Sequence, residues 1–165
     1  MIVVTGASGL VGANLIKALL AEGDSSRVRA LVHHDQRALQ GLDVDLFKAD
    51  LSDQASLVRA FQGADVVYHL AASISLGMNT WNMLSSTNVE GTRHVLETCR
   101  QCGVRRLVYF SSIHARQQTP LDQVLDESRP LLDDPAQRRA PTEPDAKQAR
   151  CRRPSSAGRR GGDCE

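Results

Sequence analysis

A chain of 165 residues has room for one domain and hardly for two. Its 20 basic and 19 acidic residues nearly cancel, which gives no electrostatic reason to expect nucleic acid or an anionic membrane as partner. No apolar run approaches a membrane span and the start shows no signal peptide, so a cytoplasmic protein is expected.

The apolar run after Met1 predicts a first strand, Ile2–Thr5, followed by a helix over Leu10–Ala21 with Leu15, Ile16, Leu19 and Leu20 on its apolar side. Between them "VVTGASGLVG" sets Gly6, Gly9 and Gly12 in the spacing GxxGxxG. A glycine triplet between strand and helix suits a phosphate-binding turn. The first allows a tight turn, the second lets backbone approach a pyrophosphate, and the third lets helix pack on strand. The helix N-terminus adds free N–H groups and a positive dipole end. A purely structural glycine turn is the bland alternative, weakened by the position of the triplet at the head of a βαβ pattern.

A second strand is expected at Val28–His33 and a third at Val44–Ala49. Asp53 is placed to cap the helix "QASLVRAF", a fourth strand follows at Asp65–Leu70, and a long helix covers Trp81–Cys102. The fifth strand is Arg106–Ser111. Several strands are apolar at consecutive positions ("IVV", "DVVYHL", "LVYF"), as suits a parallel sheet covered on both faces. The alternation predicts an α/β fold with a doubly wound parallel sheet in the order 3-2-1-4-5. Cys99 and Cys102 form a CxxC at the end of the long helix, where the dipole does not lower a thiol pKa. Zinc would need a second ligand pair, and Cys151 and Cys164 are poorly spaced for one; reduced thiols and no metal site are expected.

From Asp133 to Glu165 there is no Val, Ile, Leu, Met, Phe, Tyr or Trp. Such a segment cannot bury enough apolar surface to offset its ordering entropy, so a disordered tail is expected over 133–165. Ala, Gly, Pro and Arg, all with GC-rich codons, make 19 of its 33 residues, as when a GC-rich gene is read out of frame. Its charge of +2 is too small for a nucleic-acid arm.

The motifs "TGASGLVG", "ADL", "HLAA", "NVEGT" and "FSS" occur in the order found in the extended short-chain dehydrogenases/reductases, also called NAD-dependent epimerase/dehydratases, and the chain resembles that family over residues 1–132. "VYHLAASISL", "NVEGTRHVLETC" and "DESRP" are most similar to its dihydroflavonol reductase and hydroxysteroid dehydrogenase branch. The resemblance implies a Rossmann NAD(P)-binding domain, here incomplete. Gly6, Ser8, Gly9, Leu10 and Gly12 would cradle the pyrophosphate, Asp50 and Leu51 would face the adenine, and Leu70, Ala71 and Ala72 would line the nicotinamide ribose. Asn88 would sit near the nicotinamide end. A turn or cap role competes for Asp50. Asn88, a polar residue inside a helix, wants a reason.

An acidic residue about twenty positions past the last glycine would favour NAD by binding the ribose 2′-hydroxyl. That position carries His33, with His34 beside it, Asp35 late, and Arg37 in reach of a 2′-phosphate. The reading leans to NADP over NAD; solvated strand-end histidines are the alternative.

In the family a serine at the end of the fifth strand bonds the substrate oxygen, and the tyrosine of YxxxK moves the proton, its pKa lowered by the lysine. Ser112 falls on the serine, with a serine merely capping backbone as the alternative. The only tyrosines, Tyr68 and Tyr109, lie in strands, and the window for YxxxK reads "QRRAPTEPDAKQAR". The expectation is therefore a truncated, inactive NAD(P)-binding portion of an oxidoreductase or epimerase, meeting a small-molecule substrate only in a full-length form. The alternative is a short dinucleotide-binding sensor or interaction module. Either way an exposed sheet edge invites self-association.

Overall fold

In a computed structural model of the chain, residues 1–23, 27–74, 84–117, 120 and 123–132 are described. They fall into two compact units, Met1–Phe110 and Ser111–Glu165. The expected tail, 133–165, and the expected start of the long helix at Trp81 lie outside the described residues.

The first unit holds five parallel strands, β1 (Ile2–Thr5), β2 (Val28–Val32), β3 (Asp45–Lys48), β4 (Val66–His69) and β5 (Arg106–Tyr109). Their order is β3-β2-β1-β4-β5, as the alternation of strands and helices requires. β1 is central, with Ile2 opposite both Val28 and Val66. β1 ends as expected at Thr5, while β2, β3 and β4 stop one residue short of the expected ends and β5 two.

Continuous apolar runs in the central strands have a simple cause: β1, β2 and β4 feed two cores, whereas β3 and β5 reach only the second, through Phe47 and Leu107. Ile2, Val4, Val28, Ala30 and Val32 pack with Ala13 and Ile16 of helix α1 (Leu10–Ala21) on one face. Val3, Leu31 and Val67 pack on the other face with Leu57, Ala60 and Phe61 of α2 (Gln54–Phe61), and with Val95 and Cys99 of α3 (Thr92–Gln101). At about 25 cal/mol per Å² of apolar surface, these two cores are the main stabilising force on the sheet. Arg29 closes the rim of the second core, its Nε donating to Asp45 Oδ2 at 2.7 Å and its Nη1 to the Ala60 carbonyl at 2.8 Å.

Asp53 caps α2 as expected, its Oδ1 accepting the Ala55 N–H at 3.1 Å. The long helix widens into a π turn, Ser86–Gly91, before it continues as α3. Among the described residues β5 pairs with β4 alone, and Tyr109 and Phe110 at its end are exposed. No helix among the described residues is long and apolar enough to cross a membrane.

In the second unit, Arg116 and Leu131 form an isolated antiparallel bridge. Arg129 of "DESRP", almost fully buried, donates to the carbonyls of Val124, Pro120 and Gln123, so one guanidinium gathers carbonyls that precede the motif.

Candidate functional site

Where the strand order reverses beside β1, the loops leaving β1 and β4 part and leave a crevice beyond the carboxyl ends of the strands. A cleft of about 490 Å³ lies there, lined by residues of the loops after β1, β3 and β4. Of the residues singled out in the sequence, Gly6, Ser8, Gly9, His33, Asp50, Leu51, Leu70, Ala71 and Ala72 line it. Leu10 and Gly12 do not; Leu10 points outward, 83% exposed. Asn88 stands behind the wall. Ser112 belongs to the second unit.

The floor is built by sterics. Gly6 takes φ +68°, and a Cβ there would lie 2.6 Å from the Ala71 nitrogen and 2.8 Å from the Leu70 carbonyl carbon. A Cβ on Gly12 would lie 2.2 Å from the Gly6 oxygen, so the third glycine lets the helix pack on the turn itself rather than on the strand. At Gly9 only the Gly6 oxygen, 3.2 Å away, would meet a Cβ. Gly9 is also the N-cap of α1, with no side-chain cap and no acidic residue in the first turn. The first backbone N–H groups of that helix are thus left for another acceptor.

The wall after β3 is held by Asp50. Its Oδ1 accepts from the Ser52 N–H and hydroxyl, both at 2.8 Å, while Oδ2 lies 3.1 Å from His33 Nε2. These bonds, Ser52 first, hold its carboxyl below the usual range. Asp50 is therefore a turn residue that also lines the cleft. His94 of α3 fastens the same loop from behind, its Nδ1 2.7 Å from the Leu51 carbonyl. A Cβ on Gly91 would come within 3.0 Å of Leu51 Cβ.

Beyond β2, Arg37 is engaged by Asp35, its Nη2 2.7 Å from Asp35 Oδ2. The guanidinium holds the Asp35 carboxyl down to about 2.

The wall after β4 is held by polar side chains. Asn88 Oδ1 accepts the Ser73 N–H at 2.7 Å and its Nδ2 donates to the Ser73 carbonyl at 2.8 Å. That is the reason a polar residue sits inside the long helix. His69, 1% exposed, has Thr5 Oγ1 2.7 Å from Nδ1 and Thr92 Oγ1 3.0 Å from Nε2. Burial lowers its pKa to about 4, so the ring is neutral near pH 7.

Sequence reasoning missed Thr5, Leu31, Ala49, Ser52, Leu57, Ser86 and Thr87 on the cleft, and His69 and Thr92 behind it. Thr5 and His69 lie inside the quoted motifs "TGASGLVG" and "HLAA", yet no local pattern shows that they touch.

Within the second unit, Ser112 Oγ accepts the His114 N–H at 3.2 Å and caps the short 3₁₀ turn Ile113–Ala115. The capping role weighed for it is thus the one seen. Cys99 and Cys102 are unpaired, and burial pushes Cys99 up to about 11 and Cys102 upward, which leaves both as poor nucleophiles. Among the described residues no group of three His, Cys, Asp or Glu could hold a metal.

Comparison with known proteins agrees with this architecture. Residues 3–135 match the 3-beta hydroxysteroid dehydrogenase/isomerase family. Sterol demethylase protein B of Methylococcus capsulatus is 42% identical over 112 residues, covering 68% of this chain and 34% of that protein. Cinnamoyl-CoA reductase 1 of Oryza sativa is 36% identical over 138 residues, covering 78% of this chain and 40% of that protein. The UDP-glucose 4-epimerase of Thermus thermophilus, solved in complex with NAD, superposes with a TM-score of 0.68 at 30% identity over 79% of this chain and 44% of its own. The chain thus spans about a third to two-fifths of the length of these two curated relatives. By its glycine turn, its strand order and this match, the chain belongs to the 3-beta hydroxysteroid dehydrogenase/isomerase family, within the extended short-chain dehydrogenases/reductases.

Proposed function

We propose that the cleft binds a nicotinamide dinucleotide, NADP in preference to NAD, and that this chain by itself turns over no substrate. The observation that carries the reading is the glycine floor. Three positions where a Cβ would meet backbone lie beside an uncapped helix N-terminus, which suits close approach of a pyrophosphate. Gly6, Ser8 and Gly9 would hold the phosphates, with Leu10 and Gly12 shaping the turn. Asp50 and Leu51 would face the adenine, and Leu70, Ala71 and Ala72 would meet the nicotinamide ribose, with Asn88 behind them. When bound, the dinucleotide would supply a hydride donor or acceptor.

The lean to NADP rests on the end of β2. The position about twenty residues past Gly12 is His33 rather than an acid, the nearby Asp50 carboxylate is tied to Ser52 and His33, and Asp35 is spent on Arg37. That ion pair is highly exposed, and such pairs contribute ~0–1 kcal/mol, so Arg37 can exchange Asp35 for a phosphate. Inactivity rests on the tyrosines: the fourth residue after Tyr68 is Ala72 and after Tyr109 is Ile113, so neither begins YxxxK. Ser112 alone would hold a substrate oxygen but move no proton. A cytoplasmic location fits the unpaired Cys99 and Cys102.

The test is a titration of the full chain with NADPH and NADH, followed by nucleotide fluorescence and calorimetry. Saturable binding of both, tighter for NADPH, is expected, with no oxidation of either cofactor by carbonyl substrates. No binding of either at millimolar concentration would overturn the reading. Tighter binding of NADH would overturn the NADP preference alone.

A further inference from the structure

The bonds around His69 have a direction, which follows from counting protons. The Thr92 hydroxyl has one proton, and it is donated to the Asn88 carbonyl at 2.8 Å. Toward His69 Nε2, 3.0 Å away, Thr92 can only accept, so Nε2 carries the imidazole proton. A neutral ring protonated there has a bare Nδ1, which accepts from the Thr5 hydroxyl at 2.7 Å. With its proton spent, the Thr5 oxygen is left to accept the Ala71 N–H at 3.4 Å, a long bond. Asn88, at the far end, grips the Ser73 backbone with both atoms of its amide. The circuit therefore leaves the cleft wall at Ala71 and returns to it at Ser73. On the way it passes through β1, β4 and the π turn of the long helix.

We propose that His69 is a positioning residue: an imidazole held as the Nε2-protonated tautomer, closing a one-way hydrogen-bond circuit that sets the cleft wall 71–73 against the long helix and so tunes dinucleotide affinity. The proposal rests on the dinucleotide reading for its last clause only; the circuit stands or falls separately. Neither ring nitrogen bonds a carboxylate, so no neighbour favours the imidazolium. A protonated ring would donate from Nδ1 and reverse the Thr5 bond. The Thr5 hydroxyl proton would then lose its acceptor. The exposed ring of Tyr109, 5.7 Å from His69 on the adjacent strand, adds no hydrogen bond to it.

Two substitutions separate the halves of the ring. His69→Asn places an acceptor near the Nδ1 position and loses the link to Thr92. His69→Gln keeps a donor near Nε2 and loses the link to Thr5. Thr92→Val removes only the hydroxyl. The first measurement is nitrogen-15 NMR of the ring in the unliganded full chain at pH 7, where the Nε2-protonated neutral tautomer is expected. The Nδ1-protonated form, or a charged ring, would overturn the circuit whatever the protein binds. The second is amide hydrogen exchange at Ala71 and Ser73, expected to rise three- to tenfold in Thr92→Val. Unchanged exchange would also overturn it. The third is NADPH affinity, expected to fall three- to tenfold in Thr92→Val and in His69→Asn, and by less than the combined losses in the double variant, because both remove the His69–Thr92 bond. Additive losses would overturn the coupling. Absence of nucleotide binding in the unaltered chain would instead sink the functional reading and leave the first two measurements standing.

Discussion

The two walls that meet at Gly6 are held by different physics. On the β1 side, Gly6, Gly9 and Gly12 define the surface by what they lack, and the nearest atoms to a hypothetical Cβ are backbone. On the β4 side, the loop is held by side chains with directional bonds, His69, Asn88 and Thr5. The first wall leaves no room because an atom added at Gly6 or Gly12 would collide with backbone. The second is set by a few hydrogen bonds of modest net value, each about 1 kcal/mol. A glycine floor should thus fail abruptly under substitution, and a hydrogen-bonded wall should fail by degrees.

The sharpest contrast is expected at Gly12. Gly12→Ala puts a methyl 2.2 Å from the Gly6 oxygen, with only backbone to yield. A loss of about 3 kcal/mol or more in urea unfolding is expected, together with loss of nucleotide binding. A variant of near-native stability would show that the floor can relax, and the comparison would break.

Next in size is pH. The folded His69 titrates near 4, below the unfolded value of 6.5. Between these values the unfolded chain binds the extra proton, so stability rises with pH. The contribution is fully present above about 6.5 and lost as pH falls toward 4, by up to about 3 kcal/mol at 1.36 kcal/mol per unit. Unfolding curves collected from pH 7 to 4 should show this loss and lose the His69 part of it in His69→Gln. An equal slope in both proteins would mean the wall is not held by a neutral imidazole.

Asn88→Ala removes both bonds to Ser73 and should cost about 2 kcal/mol, with nucleotide binding weakened but not abolished. Thermal unfolding with a nucleotide titration checks it; complete loss of binding would make the two walls alike. The smallest effect belongs outside both walls. Arg37→Ala should leave stability within about 0.5 kcal/mol, because its pair with Asp35 is exposed, while weakening NADPH more than NADH. Equal loss for the two nucleotides would remove Arg37 from 2′-phosphate recognition.

Legibility from sequence follows the same division. The five strands, α1, α2 and the Asp53 cap could be read because each depends on residues near in sequence, a run of apolar positions or a cap two residues from the N–H it accepts. The glycine spacing was equally plain, since Gly12 meets Gly6 only six positions away. Asn88, a polar residue inside a helix, stands out in the sequence, but its partner, Ser73, lies 15 residues back. His69 lies in the motif "HLAA", but its role is invisible there because its partners lie 64 and 23 residues away on different elements.

Composition and periodicity thus determined an α/β chain with a parallel sheet in the order 3-2-1-4-5 and a glycine turn at the end of its first strand. They act through local conformational limits and through the need to bury apolar residues on both sheet faces. Tertiary structure alone decided that Gly12 packs on the Gly6 turn, that Asp50 serves as a turn residue facing His33, and that a neutral His69 ties the β4 loop to the long helix. Such contacts join residues that only the folded sheet brings within hydrogen-bond reach, and a hydrogen bond leaves no period in the sequence.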